Sequence, residues 1–395
     1  MLQDKKIELR VAILAGVLCM IAPFASDIYT PSLPAITIDL NSTAARIQAT
    51  VMAYFFASAV SQLIYGPLSE KYGRKIMVII GLSICVIGTI LCALTQSATM
   101  LIIARFIQGF GAGACNALFR AIMRDSFNGS KLAKIASYMG IIYPVIFGIS
   151  PMLGGYIQEI SGWRHSFTLS GIIISISLLA IIFYLPETNQ YRHTVTLKTT
   201  QILRQYFQLL THPAFMGYTL LSSFAFSGFL CFYAVGPFIF ENQMGISPSG
   251  FGWITLIVEG GLLLAQFINS QTVVKYGIHF LLKWGVTLMF FSGIILLLLC
   301  LMNIIHPWSI VMPAVIFSAA AGFVFANAMV GAFESFGHMA GIAAAIYGFL
   351  QMSLSALAGL IMTHLPETTP IPLALVFTIL GFISMMIFYS LRRIQ

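Results

Sequence analysis

Three ionisable side chains stand inside stretches that are otherwise apolar: Asp27, Arg105 and Glu259. A charge at membrane depth costs at least a few kcal/mol and is seldom left facing lipid. Two chemistries are open to such a set. A carboxyl held between a nearby guanidinium, which favours its ionised form, and an apolar surround, which favours its protonated form, can take up and release a proton. A buried carboxylate can also act as counter-ion to a cationic ligand. The plainer alternatives are a static salt bridge between Asp27 and Arg105, and a neutral Glu259 hydrogen-bonded to another helix. Asp27, Arg105 and Glu259 are therefore the candidates for proton coupling, with Arg105 tuning and orienting rather than carrying the proton.

Other polar and aromatic positions extend this set. Around Arg105, helical spacing puts Gln108, Ala112 and Asn116 on the same face, and Gly109, Gly111 and Gly113 allow a neighbouring helix to approach closely. The stretch reads as a transmembrane helix with a polar stripe turned to a cavity. Tyr29 and Thr30 follow Asp27, although Pro31 biases Thr30 away from helical geometry. Phe226, Phe229 and Tyr233 make an i, i+3, i+7 stripe, and Gln266, Asn327 and Gln351 are further amides within apolar runs. A mostly apolar cavity with a few such handles suits lipophilic, often cationic, small molecules.

The elements that must hold these residues follow from composition. The chain has 395 residues, of which 59% are hydrophobic and 8% charged, against a soluble norm of about 25% charged. Its apolar runs are helix-length rather than the ten-residue alternating segments of a barrel, so the fold is an all-α integral membrane one. Twelve spans are predicted: 11–33, 44–67, 76–95, 98–122, 132–156 and 164–185, then 213–238, 250–272, 279–302, 308–333, 338–363 and 370–391. At about 1.5 Å per residue, Asp27 lies about 24 Å from one face and Arg105 about 10 Å from the other. In a core about 30 Å thick those depths coincide, so the two can meet directly or through water. Glu259 falls about 14 Å into its span, near the midplane. The first apolar run lacks a small-residue cleavage site and is expected to be a permanent span.

The layout is 6+6: an N-terminal bundle over 1–185, a cytoplasmic linker over 186–212 and a C-terminal bundle over 213–395. The first, fourth, seventh and tenth spans are expected to line the cavity. Of twenty Lys and Arg, all but Arg46, Arg164 and the intramembrane Arg105 then fall on one side. By the positive-inside rule both termini are cytoplasmic. The net charge of +8 thus reflects topology, not nucleic acid. Lys71-Tyr72-Gly73 after the second span matches Lys275-Tyr276-Gly277 after the eighth, which suggests parallel repeats related by a pseudo-two-fold axis. A repeated Pro-Glu-Thr, at 186–188 and 366–368, falls on opposite sides and reads as coincidence. Six scattered cysteines and seven histidines form no disulfide framework or metal-ligand set.

Gly66-Pro-Leu-Ser-Glu70-Lys71-Tyr-Gly73-Arg74-Lys75 resembles the G-x-L-x-D-R-x-G-R-K loop signature of the major facilitator superfamily, with Glu70 in place of its aspartate. Arg105-Phe-Ile-Gln108-Gly109 is similar to the fourth-span R-x-x-Q-G of proton-coupled members. Ser150-Pro151-Met-Leu-Gly154-Gly155 is similar to the fifth-span antiporter signature, with serine for its first glycine. Asp27-Ile-Tyr-Thr-Pro31-Ser-Leu-Pro34 resembles the first-span motif of drug exporters. Together they look like the Bcr/CflA-type drug–proton antiporters. The resemblance implies conformational gating by Gly66, Glu70, Lys71, Gly73, Arg74, Lys75, Pro151, Gly154 and Gly155.

The function expected is proton-coupled antiport, exporting drug-like molecules across a bacterial inner membrane by alternating access. No G-x-x-x-x-G-K-[ST] phosphate loop is present, so an ion gradient is the energy source and no cofactor is expected. The expected partners are protons, the bilayer and a lipophilic or cationic substrate, and the chain is expected to act as a monomer. The alternatives are a same-fold carrier of a nucleoside, sugar, amino acid or siderophore, including one working in uptake, and, further off, an integral membrane enzyme. Such an enzyme needs a nucleophile–base pair or metal cluster near one interface, and the sequence offers neither.

Overall fold

The computed structural model describes residues 5–189, 199–336, 339–366 and 369–394. Its regular elements are all helical. The first crossing is α1 (Lys5–Asp27), which breaks at the proline-bearing turn Thr30–Ser32 and continues as α2 (Leu33–Asp39). Then come α3 (Ala44–Tyr72), α4 (Arg74–Leu94), α5 (Ala98–Ser126), α6 (Gly129–Ser161) and α7 (Trp163–Tyr184). A short α8 (Thr199–Thr211) leads to α9 (Pro213–Pro237), α10 (Pro248–Leu301), α11 (Pro307–Phe333), α12 (Ala340–Met362) and α13 (Ile371–Ile394).

Among the described residues, eleven helices are long and apolar enough to cross a bilayer. One of them, α10, runs for 54 residues but is interrupted at Gly277 (φ 78°, ψ 162°). At about 1.5 Å per residue its length of about 81 Å is far beyond one crossing of a core about 30 Å thick. It is two spans folded about a corner, which makes twelve, as the sequence predicts.

The corner has a twin. Gly73, between α3 and α4, takes φ 101°, ψ 151°, a conformation that glycine adopts without a side-chain clash. Each corner glycine follows a Lys-Tyr pair whose ammonium lies over the ring, Lys71 at 5.3 Å from Tyr72 and Lys275 at 5.1 Å from Tyr276. The faint sequence repeat is thus a repeated piece of backbone geometry.

Packing is organised in two apolar cores, one built largely from α1–α7 and the other from α8–α13. They meet where α3 lies along α12 and α6 along α10, and Phe226, Leu230 and Ala234 of α9 join the first core. Outward-facing Ile103, Leu264 and Phe267 remain well exposed, as suits side chains meeting lipid tails. All six cysteines are free and buried.

Within the expected linker, residues 190–198 lie outside the described residues, and 199–211 form α8, which the sequence reading leaves as loop. Leu203, Phe207 and Leu210 share one exposed face of α8, while Tyr206 donates to the Leu63 carbonyl (3.3 Å) and ties the helix to α3. The chain's first and last helices begin and end on one face. Arg46 and Arg164 lie on the other, where Arg164 pairs with Asp39 at 2.7 Å.

Candidate functional site

A cavity of about 510 Å³ opens between the two cores. The first, fourth, seventh and tenth spans (α1, α5, α9 and α11) all contribute to it, as expected, and α6, α10 and α12 complete it. Its mouth is marked by Arg120 and Arg124 near the end of α5, Leu132 near the start of α6 and Phe333 at the end of α11. The cavity therefore opens on the face where α1 begins.

The far end is shut by backbone contact. A Cβ on Gly154 would strike the carbonyl of Ile28, one on Gly155 that of Pro248, and one on Gly252 the backbone of Pro151 and Met152. Beside this seam Glu159 accepts from the Ser249 amide (2.9 Å) and Trp253 donates to the Tyr156 hydroxyl (3.0 Å), both across the two cores. A carboxylate on the exposed amides that start α10 is favourably placed in the helix dipole. Glycine at 155 and 252 is what allows α6 and α10 to meet here, and Gly154 lets the end of the first span approach α6.

At the inner end stands Glu259, 1% exposed and part of the cavity wall. Its Oε1 accepts from the Tyr233 hydroxyl at 2.9 Å, and the Phe147 carbonyl is a second acceptor for that hydroxyl at 3.3 Å. Its Oε2 is buried with no hydrogen-bond partner. Phe226 and Phe229 line the wall, with Phe226 edge-on to Phe147 and Phe229 stacked on Phe325. Gln351 also lines it and donates to Ser222 (2.7 Å). Tyr233 stands just behind, bonded to Glu259.

Asp27 and Arg105 come close but make no ion pair, contrary to a direct meeting. Arg105, wholly buried, donates to the carbonyls of Ala25 (2.9 Å) and Ser26 (3.2 Å) and to Gln108 (2.6 Å). The break at Pro31 stops α1, and the last carbonyls of a helix have no partner within it; a guanidinium there satisfies them and complements the dipole. The rings of Tyr29 and Tyr54 lie 4.3 Å from the guanidinium. Asp27 instead accepts from the Ser26 hydroxyl (2.7 Å), and its Oδ2 is buried without a partner.

This arrangement corrects the stripe on α5. Gln108 donates to Thr89 of α4 (2.8 Å) and Asn116 to Ser58 of α3 (3.3 Å). The face thus meets α1, α3 and α4 instead of the cavity. Tyr29 bonds Thr50 (2.9 Å), Thr30 donates to the Asp27 carbonyl (2.8 Å), and Asn327 ties α11 to Asn269 of α10 (2.6 Å). Those residues, and the half-buried Gln266, stand outside the lining of this cavity. Tyr29, Thr30 and Asn327 each satisfy a polar group inside their own half.

On the open face, the loop at 66–75 is a dense electrostatic knot. Arg74, 2% exposed, bonds Asp125 (2.8 Å), Ser69 (2.6 Å) and Glu70 (2.7 Å). Glu70 reaches its arginine despite replacing the shorter acid. A Cβ on Gly66 would come into ordinary contact with Ala345 of α12 (3.9 Å). Glu187 accepts from the amides of Arg74 (2.9 Å) and Lys75 (3.2 Å) at the start of α4. A Cβ on Gly73 would run into that carboxylate. The first Pro-Glu-Thr thus serves the loop through Glu187, whereas positions 367–368 of the second lie outside the described residues. Sequence reasoning missed Glu187 and Asp125; the available signal was an acid at the end of the fourth and of the sixth span, on the same face as the loop.

A family model described as Major Facilitator Superfamily matches residues 15–360. The chain is 26% identical over 376 residues to a bicyclomycin resistance protein homolog of Haemophilus influenzae, covering 95% of this chain and 94% of that protein. It is 26% identical over 367 residues to multidrug resistance protein D of Escherichia coli, covering 92% and 91%. Among solved structures, a partially occluded inward-open xylose transporter XylE from E. coli superposes with a TM-score of 0.78 at 14% identity, covering 98% of both chains.

Proposed function

The chain belongs to the Major Facilitator Superfamily, and from that membership we propose that it is a proton-coupled antiporter exporting lipophilic or cationic small molecules. The observation that carries the reading is Glu259: a carboxyl in the cavity wall with one oxygen bonded to Tyr233 and the other left without a partner. A buried carboxylate lacking a counter-ion is costly, so it holds either a proton or a cationic ligand. Exchange of one for the other at a single group is antiport. Asp27, from the other half and within electrostatic reach of Glu259, is the second protonatable group of the pathway, and Arg105 holds the end of α1 on which it sits.

Alternating access would open the glycine seam of α6 and α10 and close the mouth at α5 and α11. We place the face where α1 begins on the cytoplasmic side of a bacterial inner membrane, because the basic residues gather there. Multidrug resistance protein D and the bicyclomycin resistance homolog support a drug-like substrate. The test uses purified protein in proteoliposomes with a trapped pH indicator and a panel of lipophilic amines and neutral antibiotics. Substrate movement should drive protons the opposite way, and an imposed pH gradient should drive accumulation. Transport indifferent to the gradient sinks the reading.

The knot at Arg74 should affect cycling more than binding, since it lies on the face and not in the cavity wall. Arg74→Ala leaves Asp125 and Glu70 without their shared partner, at a cost of about 2 kcal/mol after allowance for their exposure. Transport is expected to fall roughly tenfold while equilibrium binding changes less than about twofold. Equal losses in both would remove the loop from the gate.

A further inference from the structure

The cavity is charged at both ends with opposite sign. Glu259 stands at its inner end with Oε2 buried and unpartnered. At the mouth stands Arg120, whose guanidinium lies over the Phe119 ring (5.2 Å). Among the described residues Arg120 makes no ion pair; its neighbour Arg124, one helical turn on, lies 3.9 Å from Glu70. Arg120 is exposed at the mouth of the cavity. It lines the cavity, and Cys19 of α1, Tyr143 of α6 and Tyr347 of α12 all lie within its electrostatic reach. Tyr143 is within reach of Glu259 as well.

Between the two charges the wall is aromatic and sulphur-rich, with Tyr143, Phe147, Phe226, Phe325 and Met139. Along the helix axes, Glu259 lies about 16 Å from the closed-face start of α10 and Arg120 about 9 Å from the open-face end of α5. With α5 about 43 Å long, roughly 18 Å of axial separation remains before the side chains reach inward. A lone cation would fill one end of this space and leave the guanidinium unanswered. A flat, elongated molecule with opposite charges at its tips would answer both and stack on the rings between them.

Resting on the transport reading above, we propose that the cavity takes an elongated aromatic zwitterion, its ammonium at Glu259 and its anionic group at Arg120. Arg120 is then a specificity residue: its planar fork accepts a carboxylate through two parallel hydrogen bonds. Cationic compounds without the anionic group would still enter, held by Glu259 alone.

The probes are a biphenyl bearing an aminomethyl group and a carboxylic acid at opposite ends, and its methyl ester, which keeps the ammonium and loses the carboxylate. Calorimetric binding to the purified full chain in detergent should show the acid bound roughly tenfold tighter than the ester. Arg120→Gln should abolish that preference, and Arg120→Lys, which keeps charge without the fork, should retain part of it. A wild-type protein that fails to bind the acid, or binds the ester as tightly, overturns the inference, as does an unaltered preference in Arg120→Gln. pH-gradient-driven uptake of the ester separates the two levels. If it occurs while the acid is not preferred, the antiport reading stands and the zwitterion site falls. If no gradient-driven transport occurs with either probe or the wider panel, the antiport reading itself has failed.

Discussion

Glu259→Gln is expected to reduce gradient-driven accumulation to equilibration while substrate exchange down its own gradient continues. The carboxamide keeps the size of the side chain and an acceptor for the Tyr233 hydroxyl, so the carrier should still bind and reorient. What it loses is the exchange of a proton for a cation. A one-unit pH gradient supplies about 1.4 kcal/mol per proton, enough for roughly tenfold accumulation in a one-for-one exchange; the variant should show none. Asp27→Asn provides the contrast. Asp27 stands outside the cavity lining, so its neutralisation should shift the pH profile and slow turnover without erasing accumulation. If the two phenotypes are reversed, Asp27 is the coupling carboxyl and Glu259 only recognises charge. Full accumulation in both variants would remove the proton pathway altogether.

Gly155→Ala should lock the molecule out of the conformation described here. The added Cβ would meet the Pro248 carbonyl and the Ser249 Cα, which are backbone and cannot rotate away. Overpacking of this kind costs about 1–3 kcal/mol. It is borne only in the state where α6 and α10 touch, so it converts into roughly a 5- to 150-fold shift towards the state where they part. Transport should drop accordingly. A cysteine placed at Phe147 should become more reactive to an impermeant maleimide added from the face that is shut here. Unchanged reactivity together with normal transport would show that the seam does not gate. Gly252→Ala, acting from the other helix, should reproduce the phenotype.

The twelve spans were legible because lipid imposes one strong rule, that apolar length must match bilayer thickness with all backbone groups bonded inside a helix. The corner at Gly277 was legible from three residues, since Lys-Tyr-Gly carries both the backbone demand and the ring contact. The stripe on α5 shows where such reading stops. Period fixes that Arg105, Gln108 and Asn116 share a face, but rotation about the helix axis is set by packing against α1, α3 and α4. The same gap hid the Arg105 contacts, because backbone carbonyls at the end of α1 carry no sequence signature. Arg120 was counted as a topological charge; it lines the cavity mouth with Arg124, and what sets it apart is that Arg124 has Glu70 for a partner. The helix of the linker, α8, escaped because its apolar face is too short to register as a span.

The two corners differ in one respect. Gly73 is ringed by Arg74, Glu70, Asp125 and Glu187, whereas Gly277 is followed by Ile278 and His279, and among the described residues no ion pair gathers there. Dissolved salt therefore acts on the molecule unevenly. The screening length falls from about 10 Å at 0.1 M to about 3 Å at 1 M, which loosens the partly exposed Glu70–Arg124 approach and leaves the other corner indifferent. A scaffold whose halves repeat one corner geometry is lopsided in its response to the ionic strength of its surroundings: among the described residues the ion pairs all lie in the half that carries Asp27.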